Sequence, residues 1–153
     1  MAVLSPIFFE DIELGTTLRV GSYRVDRDDI VTFARRWDPL AIHTDDTCGV
    51  TASGAHTMAI RTLLLHQLPT REAVVVGAAW GNVRFHVPVH PGDELWLEAT
   101  WLTKRRSASK PDRGIVTAFI KLVNQNGIVV LSHEDTMIMR LRNPDAEDRR
   151  LSP

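Results

Sequence analysis

The stretch Ser53-Gly54-Ala55-His56-Thr57-Met58-Ala59-Ile60-Arg61-Thr62-Leu63-Leu64-Leu65-His66-Gln67-Leu68-Pro69 decides how the rest of the chain must be arranged. Ser53 offers a side-chain oxygen that can cap a helix, and Pro69 closes it, because proline lacks the N–H that a continuing helix needs. Between these ends the apolar residues run around most of the helix circumference. That distribution predicts a helix buried inside a sheet, not one lying on a surface. The segment contains no Asp or Glu.

Upstream lies Asp38-Pro39-Leu40-Ala41-Ile42-His43. Ahead of it Ile30, Phe33, Ala34 and Trp37 recur at helical spacing, with Asp26 or Asp28 placed to supply an N-cap oxygen. Pro39 disfavours the helical conformation of the residue before it, so a helix over Asp28–Trp37 is predicted to end at Asp38. An Asp and a His held across a short loop can grip one water and pass protons to and from it. Asp45 reads as the start of the next turn, its carboxylate bonding backbone N–H groups. His43 and Asp45 have too few companions for zinc, which wants three or four protein ligands, so no metal is expected. His56 and His66 read as core or interface histidines. Cys48, with no base of its own, is a poor nucleophile.

Outward from the two helices the pattern changes to extended chain, and from about Val74 to Leu141 the sequence reads as strands. Thr17–Val25 partly alternates, as do Asn82–Val87 and Glu94–Trp101 around a turn at His90-Pro91-Gly92-Asp93. Ile115–Val123 and Ile128–Leu141 flank Asn126-Gly127, a hairpin signal because both residues tolerate positive φ. One strand, a helix and loop, a buried helix and then a meander of three or four long antiparallel strands describe an α+β domain whose sheet wraps the helix. Such a sheet has exposed edges, so a homodimer is expected. The four tryptophans read as residues of the core and the dimer seam. Residues 1–142 form the single domain, and Asn143–Pro153 reads as a mobile tail.

At 153 residues and 44% hydrophobic content the chain fits one domain. Its 18 basic and 19 acidic residues create no field that would hold nucleic acid or an anionic membrane. Lys104-Arg105-Arg106, with Lys110 and Arg113 nearby, reads as a solvated loop. The single cysteine excludes an intrachain disulfide, no apolar run reaches the ~20 residues that cross a bilayer, and no leader pattern opens the chain. A cytoplasmic protein is expected.

Three segments together resemble a known family. Phe33-Ala34-Arg35-Arg36-Trp37-Asp38-Pro39 through His43-Thr44-Asp45, then Ala52-Ser53-Gly54-Ala55-His56-Thr57, then Val87-Pro88-Val89-His90-Pro91-Gly92-Asp93-Glu94-Leu95 are similar to the signature of the MaoC-like dehydratases, the (R)-specific enoyl-CoA hydratases of hotdog fold. The resemblance spans about Phe9 to Leu141. It implies a long central helix wrapped by an antiparallel sheet, a dimer, and an acyl-CoA or other acyl-thioester substrate bound near the subunit interface. It implies Asp38 and His43 as the catalytic pair that activates water, and the start of the central helix at Ser53, Gly54 and Ala55 as the substrate-binding segment whose backbone N–H polarises the thioester carbonyl. Leu40 stands where many relatives carry Asn, and the stretch Thr44–Ser53 is shorter than the family pattern.

The chemistry agrees with that implication. Hydrating a 2-enoyl thioester needs a base for the water, an acid for C2 and a donor for the enolate-like oxygen. No cofactor is expected, since hydration moves no electrons and no dinucleotide fingerprint follows a strand. Two alternatives stay open: a noncatalytic thioester-binding or partner subunit, suggested by the short stretch after His43, and a hotdog thioesterase, against which the absence of a carboxylate on the central helix counts.

Overall fold

The computed structural model describes residues 5–144. The expected mobile tail, from residue 145 onward, lies outside the described residues. Five strands form one antiparallel sheet: β1 (Thr17–Arg24), β2 (Val74–Phe85), β3 (Glu94–Arg106), β4 (Arg113–Val123) and β5 (Val129–Arg140), in the order β1-β3-β4-β5-β2. The helices are α1 (Arg27–Trp37), α2 (Ala41–Thr44) and α3 (Gly54–Leu65).

Local chemistry sets most of these boundaries. Asp26 caps α1 by accepting from the N–H groups of Asp28 and Asp29, at 2.8 and 3.1 Å. Ser53 caps α3, its Oγ accepting from His56 N–H at 3.1 Å. α3 stops at Leu65, short of the expected Leu68. Gln67 and Leu68 tighten into turns on Leu64 and Leu65, because Pro69 bars the residue before it from the helical region.

The sheet differs from a simple meander. Only β3, β4 and β5 follow one another in space; β2 sits beyond β5 at one edge, and β1 pairs with the free side of β3. β2 begins at Val74, where the extended part of the chain is expected to start, although alternation is clear only from Asn82. Between β4 and β5 only Gly127 takes positive φ, at 74°. Asn126 does not, because Asn124 Oδ1 closes the turn by accepting from Asn126 and Ile128 N–H.

The core lies between α3 and the inner face of the sheet. Leu95, Leu97, Ala99 and Trp101 of β3 and Val116, Ala118, Ile120 and Leu122 of β4 alternate inward, and Ile60 and Leu64 meet them from α3. Within this chain the helix is wrapped on one side only: Ala59 is exposed and Leu63 keeps 52% of its surface. Of the tryptophans, Trp101 alone is buried in this chain, while Trp37 and Trp80 are exposed.

Two charged features depart from expectation. Lys104 belongs to β3 and donates to the carbonyls of Ile12 (2.7 Å), Glu10 (3.2 Å) and Phe9 (3.5 Å), tying down the turn Phe9–Asp11 instead of sitting in a solvated loop. Arg61, 2% exposed on α3, is a charge inside the core. It pairs with Asp135 and donates from Nε to His133 Nε2 at 2.8 Å, with its guanidinium 5.3 Å from the ring centre of Trp80. Burial draws the Arg61 pKa down to about 10. His133, pulled down by burial and by Arg61, is the neutral acceptor, and its Nδ1–H donates to Glu134 O at 2.9 Å.

Candidate active site

Asp38 terminates α1: its N–H still bonds Ala34 O at 2.8 Å, but its φ of −156° leaves the helix. Leu40 N–H then bonds Asp38 O at 2.8 Å, turning the chain into α2, which carries His43. The turn brings His43 Nε2 to 3.7 Å from Asp38 Oδ2, with side-chain exposures of 12% and 35%.

The short stretch after His43 holds the imidazole. Thr51 N–H bonds Ile42 O at 3.0 Å, which places Thr51 O 2.6 Å from His43 Nδ1. A carbonyl can only accept, so Nδ1 carries a hydrogen, and Nε2 is the ring nitrogen that faces Asp38. Asp45 starts the turn Asp46–Cys48 by accepting from Thr47 N–H at 2.9 Å, and that bond holds its carboxyl below the usual range. Asp46 pairs with Arg27 of α1, and Ala52 N–H bonds Val89 O at 2.9 Å, so both ends of the stretch are anchored.

The start of α3 lies next in the chain. Ser53 is buried, its oxygen occupied as the cap. Among the described residues the N–H groups of Gly54 and Ala55 have no hydrogen-bond acceptor, as befits the first turn of a helix. A Cβ on Gly54 would meet the Phe85 ring at 2.9 Å, so glycine here serves the packing of Phe85 against the helix start.

Two clefts flank this turn. One, of about 360 Å³, is lined by Gly54, Thr57, Phe85, Val87 and Val130 among others. The other, of about 300 Å³, opens between α1 and α3 and is lined by Asp29, Thr32, Phe33, Arg36, Trp37 and His56. Sequence reading named Asp38, His43, Ser53, Gly54 and Ala55 as candidates; it did not name the Thr51 carbonyl beside His43, since a backbone group carries no residue signature. Among the described residues no cluster of three or more His, Cys, Asp and Glu could hold a metal, and no helix is long and apolar enough to cross a membrane.

The MaoC-dehydratase family, described as the MaoC like domain, matches residues 11–121. A MaoC-like dehydratase from Rhodospirillum rubrum has 34% identity and a TM-score of 0.83, over 89% of this chain and 98% of its own. The uncharacterized protein YdeM of Bacillus subtilis (strain 168) has 27% identity over 139 residues, 86% of this chain and 97% of its own. A Mycobacterium tuberculosis protein with a double hotdog fold, at 16% identity, shares the fold alone, with a TM-score of 0.73 over 88% of this chain and 44% of its own. The domain is a hotdog fold, and the chain belongs to the MaoC-like domain family.

Proposed function

We propose that this protein is a hydro-lyase that interconverts trans-2-enoyl thioesters and (R)-3-hydroxyacyl thioesters, acting on acyl-CoA or another acyl thioester as a homodimer. The observation that carries the reading is the 3.7 Å separation of His43 Nε2 and Asp38 Oδ2, with Nδ1 already committed to Thr51 O. In the neutral form of His43 both facing atoms are acceptors, so they do not bond each other and can share a water that donates one hydrogen to each. The water's remaining lone pairs then face outward.

With a substrate carbonyl on the free N–H groups of Gly54 and Ala55, C3 of the enoyl chain comes to this water. The water oxygen bonds C3 and keeps one hydrogen; the pair takes the other and returns a proton to C2. The electron pair of the double bond passes through an enolate whose oxygen rests at the positive end of α3. The site ends as it began, with no electrons moved and no cofactor in the scheme, and dehydration runs through the same groups.

The anchored stretch from Thr44 to Ser53 supports a competent site over a noncatalytic subunit, because its Thr51 carbonyl orients the imidazole. The absence of any Asp or Glu in α3 counts against a thioesterase. A second copy would cover apolar surface that one chain leaves bare: Leu63 on α3, and Val76, Trp80 and Phe85 on the edge strand β2.

The test is hydration of crotonyl-CoA, followed as loss of the conjugated thioester absorbance. Asp38→Asn and His43→Ala are each expected to lower kcat by roughly 100-fold or more, the ordinary worth of a positioned acid–base group, with unchanged circular dichroism. Undiminished turnover in either variant removes the pair.

A further inference from the structure

Resting on the acid–base reading above, we infer that Gly49 is a positioning residue for His43: its backbone turns the chain so that the Thr51 carbonyl decides which nitrogen of the ring carries the hydrogen.

Thr51 clamps α2 at two points of its backbone. Its N–H donates to Ile42 O at 3.0 Å, and its carbonyl accepts from His43 Nδ1 at 2.6 Å. The Thr51 hydroxyl lies further from Nδ1, at 3.5 Å, so the carbonyl is the closer acceptor. With the hydrogen held on Nδ1, the neutral ring faces Asp38 with an unprotonated Nε2. An unheld neutral imidazole favours the opposite arrangement, with its hydrogen on Nε2. Such a ring turns a donor toward Asp38 and leaves the shared water of the proposed reaction one acceptor short.

Gly49 sets the clamp in place. Its φ of 73° and ψ of 117° lie outside the left-handed region that other residues visit, which spans ψ of ~30–60°. The chain on either side is held. Before it, Gly49 N–H bonds Asp46 O at 3.3 Å, within the turn that Asp45 starts and Asp46 ties to Arg27 of α1. After it, Val50 is 4% exposed in the core, and Ala52 N–H bonds Val89 O at 2.9 Å. Thr51 lies between these anchors, so a changed conformation at residue 49 moves Thr51 relative to α2. A Cβ on Gly49 would have no atom within 4 Å, so alanine there alters the backbone without adding a clash.

The experiment locates the ring hydrogen of His43 by long-range proton–nitrogen NMR, with the imidazoles deprotonated at alkaline pH, in the wild type, Gly49→Ala and Gly127→Ala. The His43 signals are assigned by their absence from His43→Ala, and kcat and KM for crotonyl-CoA are measured in the same proteins. Gly127, in the β4–β5 turn, has a matching φ of 74° and equally open space, so its variant carries comparable backbone strain away from the clamp. The wild type and Gly127→Ala are expected to hold the hydrogen on Nδ1. Gly49→Ala should shift it toward Nε2 and lower kcat roughly 10- to 100-fold, with KM changed by less than about twofold. Should the alanine variant not fold, Gly49→Asn, which tolerates positive φ, is read in the same way. A hydrogen on Nε2 in the wild type overturns the inference whether or not a variant folds. A Gly49 variant that keeps the wild-type ring, a shift that leaves kcat unchanged in an active enzyme, or the same shift in Gly127→Ala also overturns it. If the wild type hydrates no enoyl thioester, the catalytic reading fails, and the NMR comparison still decides whether Gly49 positions His43.

Discussion

His43 has one nitrogen committed and one free, and the asymmetry comes from a carbonyl eight residues away, at Thr51. The candidate chemistry rests on that contact as much as on the side chains, because it fixes which nitrogen faces Asp38. Arg61 illustrates the same dependence inside the core. Its charge is tolerated because Asp135 and His133 take up its donors, so removing one partner strands a buried cation. Asp135→Ala is expected to destabilise the fold by about 3–5 kcal/mol, seen as a lower denaturant midpoint. The double variant Arg61→Met, Asp135→Ala should recover part of that loss, since no uncompensated charge remains.

At the scale of elements, helix ends follow local rules and strand positions follow packing. Asp26 and Ser53 are caps by virtue of a side-chain oxygen at the right place; Ser53 was legible as such, and Asp26 as one of two candidates with Asp28. β4 depends on a contact that no local rule reveals: the Phe9 ring lies against Gly114, in the space a Cβ would occupy. Phe9 is buried and its turn is held by Lys104, so the ring has little room to move. Gly114→Ala is therefore expected to cost roughly 1–3 kcal/mol by overpacking, measured as a fall in Tm, and Phe9→Leu in the same chain should relieve it.

For the molecule as a whole, the informative surface is the one left unfinished. The helix sequence is apolar nearly all round, yet one chain buries only one side of it, and β2 presents Val76, Trp80 and Phe85 to solvent along the sheet edge. The proposed homodimer reconciles sequence and structure by covering both. Val76→Lys and Trp80→Glu together are expected to shift the mass measured by light scattering from that of two chains to that of one, with kcat falling in step if the sites lie at the seam. A wild-type protein with the mass of a single chain would remove the dimer from the proposal.

Caps, proline stops, period-two alternation and the spacing of Asp38 from His43 are properties of neighbouring residues, and the sequence by itself determined them: an α+β domain, a capped central helix and an Asp and a His brought around one turn. The strand order, the lysine under the Phe9–Asp11 turn and the Arg61–His133–Asp135 cluster were decided only by the tertiary structure. They join residues as many as 95 positions apart, and such pairings depend on register and burial that no local window contains. His56 Nδ1, buried without a hydrogen-bond partner among the described residues, belongs with them. A histidine's type is visible in the sequence, but whether its ring nitrogen finds a partner depends on what the folded chain packs around it.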